Sequence, residues 1–290
     1  MGWITCCNVL SDLYAMGVVN CDNMLLLLGV AQGMSVTERE ICVKLLIEGF
    51  RDCALEANTF IRGGQTVLSP WLMIGGVATS VCDDSEYIMP NRAEKGDLLV
   101  LTKPLGTQVA VNVHQWMHDQ HTFWTQNLQH ITTEDEVESL FSAATMSMTH
   151  LNRNAARLMH KYDAHGCTDV TGFGLVGHAN NLAKFQSRPN IAFSLHTLPC
   201  LAGTVRLSTA LNDRFKLLRG LCPETSGGLL ILFAKEKADQ FCKELSELEG
   251  CPAWVVGEVV ESSEPLATLI EEPKVIEVEH ASVEPPRRST

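Results

Sequence analysis

The chain has 290 residues, 46% hydrophobic and 19% charged, with a formal net charge of −12. That balance fits a globular protein with room for two ordinary domains and excludes a disordered chain. The acidic surplus argues against a nucleic-acid partner, and wholly apolar runs such as Met24 to Leu28 are too short to span a membrane.

A helix is expected from the start, over 2–16, then a continuous apolar strand over 21–30. Ser35 and Glu38 form a capping box, so a helix should run over 36–57. Gly63 and Gly64 read as a turn, followed by a β-like stretch over 67–82 broken by Pro70 and Gly75–Gly76. Residues 83–95 read as a polar linker. A second unit then opens with a buried strand over 97–102 and a helix over 107–117, with 118–131 irregular. Thr133 and Glu136 form another capping box, with an acidic first turn, for a helix expected over 134–160. Strand, helix and strand follow through Cys167, His178 and Phe193. A helix is expected over 201–211, a strand over 227–234, a helix over 236–248 and last strands over 254–260 and 274–278. The tail over 281–290 is Pro-rich and charged and is expected to be disordered. The pattern is α+β in two units, 1–90 and 96–280.

Eleven cysteines are scattered without a C-x-x-C pair, which reads as reduced thiols packed in a core. The ten histidines show no Cys/His ligand spacing, so no zinc site is expected. The opening residues do not read as a secretory leader, and the expected compartment is the cytoplasm.

Two lone carboxylates carry the functional signal. Asp12 sits among Val9, Leu10, Leu13 and Tyr14, and Asp169 precedes the Gly-rich stretch of CTDVTGFGLVGHA at 167–179. A carboxylate in an apolar segment is costly to bury unless it is paired or binds a metal. Hard cations such as Mg²⁺ take one or two carboxylates and leave other positions to phosphates and water. The alternative is that Asp12 faces solvent on an amphipathic helix and Asp169 is a helix N-terminal carboxylate. Gly172, Gly174 and Gly177 match G-x-G-x-x-G, but the next strand-like run, 191–196, has no acidic residue for a ribose. A Walker-type loop is absent. RGGQT at 62–66 offers either an ordinary turn or a close approach of backbone to ligand, with Gln65 and Thr66 as polar side chains. PETSGGLL at 223–230 reads as entry to a buried strand.

Together, NVLSDLYAMG at 8–17, GGQT at 63–66, LTKPLGTQVA at 101–110, TDVTGFGLVGHANNLA at 168–183 and PETSGGLL at 223–230 resemble the selenophosphate synthetases (selenide, water dikinases), in wording closest to the animal form. The resemblance implies a two-domain, aminoimidazole-ribonucleotide-synthetase-like α+β architecture with ATP between the domains, and a homodimer or a heterodimer with a homologue. It implies conversion of selenide, ATP and water to selenophosphate, AMP and phosphate for selenocysteine synthesis. It matches Asp12 and Asp169 to metal-binding (Mg²⁺) aspartates, and Asp12, Gly63, Gly64, Gln65 and Thr66 to positions that contact ATP, the glycine segment across the dimer interface. It also implies a segment ahead of Met1 with a nucleophile, a lysine and a further metal ligand, so the N-terminal domain is expected to be truncated and none of those three is assigned here. Cys6 and Cys7 are expected to be packing groups rather than a substitute nucleophile. Two other readings remain at this stage: an inactive short form acting as a dimer partner or regulator, and a related ATP-using enzyme such as a thiamine-monophosphate kinase.

Overall fold

A computed structural model describes residues 1–279; the expected disordered tail over 281–290 lies outside them. The first unit opens with α1 (Gly2–Ala15) and β1 (Asn23–Ala31). It continues with α2 (Val36–Glu56), β2 (Ile61–Ser69) and β3 (Met73–Thr79). The three strands form one sheet in the order β2-β1-β3, with β2 parallel and β3 antiparallel to β1. Alternation along β1 sends Met24, Leu26, Leu28 and Val30 inward and leaves Leu27 on the opposite, open face. α2 starts where the capping box predicts. The Ser35 amide donates to Glu38 Oε2 at 2.7 Å, and the Glu38 amide donates to Ser35 Oγ at 3.3 Å.

The glycine pair at 63–64 is not a turn. Both residues lie inside β2, paired with Leu25 and Leu26 of β1. Gly64 adopts φ +141°, and a Cβ there would meet the Leu26 carbonyl oxygen at 1.9 Å. The glycine therefore lets two backbones close up within a strand. Gly75 and Gly76 likewise do not interrupt β3.

The second unit contains β4 (Leu98–Leu101), α3 (Thr107–His118), α4 (Glu134–Thr149) and α5 (Arg153–Lys161). β5 (Gly166–Asp169), α6 (Gly174–Lys184), β6 (Ile191–Leu201) and α7 (Thr204–Ala210) follow. β7 (Leu229–Phe233), α8 (Lys235–Glu249), β8 (Trp254–Glu261) and β9 (Ala267–Val278) complete it. Six strands form a mixed sheet ordered β5-β7-β4-β8-β6-β9. β7 is wholly apolar because both of its faces are covered. Leu230 and Leu232 join the core that also contains Val109, Val113 and Leu140 of α3 and α4. Leu229, Ile231 and Phe233 join the other, which contains Leu10 and Tyr14 of α1 and Phe241 of α8. α1 is thus packed into the core of both units.

Four sequence expectations shift. The helix expected over 134–160 is two, α4 and α5, broken at His150 and Asn152. The irregular stretch over 118–131 contains a π-helical turn, Trp124–Leu128, that buries both of its end residues. The helix expected from 201 starts at Thr204, because β6 continues to Leu201. The last strand begins at Ala267 rather than 274, where it first pairs with β6. All eleven cysteines are free thiols, seven of them buried. No helix among the described residues is long and apolar enough to cross a membrane.

Candidate functional site

α1 lies across the carboxyl end of β5 and so brings together residues from the two ends of the chain. Asp169 is the last residue of β5 and is buried. Asp12 is in the last turn of α1, open to solvent on one side. The two are close enough that Asp169, after partial desolvation, is the second cause pushing the Asp12 carboxyl above the usual range. Burial also raises Asp169, against the opposing pull of the Ser11 hydroxyl and of the Lys103 charge. Asp12 has a further handicap, since the C-terminal end of a helix carries partial negative charge. Asp169 does not cap α6, whose first residue follows Phe173 at the N-cap. Two carboxylates held near each other, both resisting ionisation, are a donor type that could hold a hard divalent cation.

A polar network fixes this pair. Asn152 Nδ2 donates to Ser11 Oγ at 3.1 Å and to the Gly227 carbonyl at 2.9 Å. The Ser226 amide donates to Asn8 Oδ1 at 3.2 Å. Lys103 is buried; its Nζ donates to the His150 carbonyl at 2.6 Å and the Ser226 carbonyl at 2.9 Å. Burial pushes the Lys103 ammonium down to about 8, with Cys7, Glu249 and Asp169 pulling upward. The helix break at 150–152 belongs to this network: the His150 carbonyl turns to Lys103, and the Asn152 side chain leaves its own helix start uncapped to bridge α1 and the 226–228 turn.

The PETSGG segment supplies that turn. A Cβ at Gly227 would meet the Val170 carbonyl oxygen at 2.0 Å, and one at Gly228 the Lys103 amide nitrogen at 2.4 Å, so only glycine allows the approach. Glu224, buried, reaches back to the start of α3. It accepts from the Gly106 amide at 2.7 Å, the Thr107 amide at 2.9 Å and the Thr107 hydroxyl. Burial raises Glu224 to about 7 despite these donors. His178 Nε2 accepts from the Phe173 amide at 3.3 Å and lies 3.2 Å from Thr171 Oγ1, tying the Gly-rich turn to α6; burial pushes its pKa down, which favours the neutral ring that accepts.

Gly63, Gly64, Gln65 and Thr66 lie on the exposed outer strand β2. Among the described residues no hydrogen bond links them to Asp12 or Asp169. Cys6 and Cys7 are core groups. Cys6 Sγ lies 3.8 Å from Met24 Sδ, and Cys7 Sγ lies 3.5 Å from Cys53 Sγ and 3.1 Å from the Thr149 carbonyl. The Cys53 contact first, and burial second, hold the Cys7 thiol well above its ordinary value, the reverse of an activated nucleophile. Lys103, Asn152, Asn8 and Glu224 were not singled out from the sequence. A lysine directly before Pro104, at the end of an apolar strand, was the available signal for the first. Asn8 and Glu224 lie inside the NVLSDLYAMG and PETSGGLL segments without standing out there, and no sequence pattern marks Asn152.

Family profiles for the AIR synthase related protein match this chain, the N-terminal domain over 1–82 and the C-terminal domain over 94–269. "Selenide, water dikinase 2" of Homo sapiens is 52% identical over 281 residues, covering 96% of this chain and 62% of the human protein. "Selenide, water dikinase" of Dictyostelium discoideum is 49% identical over 284 residues, covering 96% of this chain and 77% of that protein. The chain thus spans less than two thirds of the human relative's length. Among solved structures, thiamine-monophosphate kinase from Stenotrophomonas maltophilia K279a superposes with TM-score 0.70 at 20% identity, covering 93% of this chain and 78% of that one. The hydrogenase maturation protein HypE of E. coli gives 0.70 at 16% identity, covering 92% and 75%. These structural likenesses establish a shared two-domain α+β fold.

Proposed function

This chain belongs to the selenide, water dikinase family, and from that premise we propose that it serves the ATP-dependent synthesis of selenophosphate from selenide and water, with release of AMP and phosphate, for selenocysteine synthesis. The observation that carries the proposal is the pairing of Asp12 with Asp169, drawn from opposite units and both held above the ordinary carboxylate range. Asp12 and Asp169 would hold Mg²⁺, which when bound neutralises charge on the phosphates of ATP. The remaining residues position that pair. Ser11 and Asn152 lock α1 against the 226–228 turn, and Lys103 leaves a partial positive field beneath Asp169. The division at 83–95 into units 1–90 and 96–280 is part of the same reading, as is a cytoplasmic location.

Gly63, Gly64, Gln65 and Thr66 enter as nucleotide contacts through a second copy of the chain. Supporting this is the open face of the first sheet, where Leu27, Val67, Met73 and Val77 are each about half exposed. Register places Leu27 beside Gln65 and Gly75, so GGQT borders that apolar face. A homodimer, or a heterodimer with a homologue, would cover it.

The test is selenide-dependent AMP formation from ATP and Mg²⁺ by the purified 290-residue chain, alongside Mg·ATP binding by calorimetry. Binding that Asp169→Asn abolishes supports the site. Binding without turnover places this chain as a partner or regulator, and absence of binding overturns the nucleotide site.

A further inference from the structure

On the far side of the second unit, α3 and α4 present three side chains to one point. His114 and His118 are four residues apart on α3, one turn on the same face, and Glu138 comes from α4. His118 Nε2 lies 3.1 Å from His114 Nε2 and 3.0 Å from Glu138 Oε1, and His114 Nε2 lies 3.3 Å from Glu138 Oε2.

Protons alone satisfy this triangle poorly. If both ring nitrogens carry hydrogen, the two N–H groups oppose each other at 3.1 Å. If only one does, the other ring's lone pair faces a carboxylate oxygen. One ion at the centre satisfies all three edges. Ligands about 2.0–2.1 Å from a tetrahedral zinc ion sit ~3.3 Å from one another, the spacing found here. The supports are rigid. His114 is stacked on Phe141 of α4, ring centroids 3.8 Å apart and 9° from parallel, and Val113, Met117, Val137 and Leu140 bury the helix contact beneath.

We propose that this chain binds one divalent transition-metal ion of the zinc class through His114 Nε2, His118 Nε2 and the Glu138 carboxylate. Two imidazoles and a carboxylate suit zinc and its neighbours rather than Mg²⁺. Three protein ligands leave a fourth position open to water or an incoming ligand. The site is distinct from the Asp12–Asp169 pair, shares no residue with it, and ties α3 to α4. H-x-x-x-H at 114–118 supplies the first two ligands, and the third comes from the next helix.

The experiment is titration of the chelator-treated, reduced 290-residue chain with Co²⁺, followed by displacement with Zn²⁺. One equivalent should give the strong visible bands of tetrahedral cobalt without a near-ultraviolet sulfur-to-cobalt band, so the eleven thiols are told apart from the site. Asp169→Asn should keep the bands. His118→Ala and Glu138→Gln, at half-exposed positions where folding is little disturbed, should each raise the half-saturating concentration at least ~10-fold. Zn²⁺ should also raise the melting temperature of the parent chain and not of His118→Ala. Weak octahedral bands, a thiolate band, or unchanged affinity in either variant would overturn the proposal.

Discussion

Glu224→Gln isolates a buried charge that positions the 223–228 turn. The Glu224 carboxyl is raised from its ordinary 4.5 to about 7, a preference for the protonated form of about 3 kcal/mol. Between those values the folded chain holds more protons than the unfolded one. Stability from this group is therefore present below the lower value and lost as pH rises through the upper one. Glutamine titrates nowhere, so its chain lacks this slope. It does lose an acceptor, since its amide nitrogen faces the Thr107 amide and hydroxyl, at a cost of ~1–3 kcal/mol. The nearest other perturbed groups, Cys200 and Cys222, are both raised far above this window by burial. Urea denaturation of both proteins from about pH 5 to about pH 8 gives the difference directly. The variant should be the weaker protein at the acid end, and the gap should move ~2–3 kcal/mol in its favour by the alkaline end, roughly 1 M in midpoint. A gap that stays constant, or widens with pH, would refute the argument that burial outweighs the three hydrogen bonds.

Asp169→Asn should weaken Mg·ATP binding more than ~10-fold in calorimetry while leaving the ligand-free melting temperature unchanged or higher, because it removes a desolvated charge facing Asp12; a lower melting temperature would count against repulsion at the pair. Asn152→Ala removes the donor to the Ser11 hydroxyl oxygen and to the Gly227 carbonyl and should cost about 2 kcal/mol by chemical denaturation. Gly64→Ala forces a Cβ against the Leu26 carbonyl at φ +141° and should cost more than ~2 kcal/mol, with hydrogen exchange accelerated along β1 and β2; protection equal to the parent would show that β2 is not held in this register. Leu27→Asp on the open sheet face should halve the molar mass seen by light scattering if two copies meet there, and a parent chain that is already monomeric at micromolar concentration would remove the proposed dimer.

What could be read in the sequence was what depends on near neighbours. Both capping boxes form as expected because the groups involved lie three residues apart and need no tertiary partner. Asp12 and Asp169 stood out because a lone carboxylate in an apolar segment is conspicuous at any distance. The glycine pair at 63–64 was misread because its conformation is imposed by β1, 38 residues upstream, pressing its carbonyls against β2. The break between α4 and α5 was invisible for the same reason. The segment 150–152 contains neither Gly nor Pro, and its backbone departs from the helix to meet Lys103 while Asn152 bridges Ser11 and Gly227. Lys103 is the sharpest case. Lysine ordinarily marks a solvated surface, and only the assembled fold shows a buried ammonium, lowered to about 8, holding two carbonyls beneath Asp169. The groups that give the carboxylate pair its electrostatics are thus residues of unremarkable type whose burial is a property of the packing of α1 against β5. Substitutions at Ser11 or Asn152, which leave both aspartates in place, should therefore disturb the site nearly as much as substituting the aspartates themselves, and calorimetry of Asn152→Ala with Mg·ATP measures that directly. Affinity equal to the parent would show that the pair holds its geometry without the network.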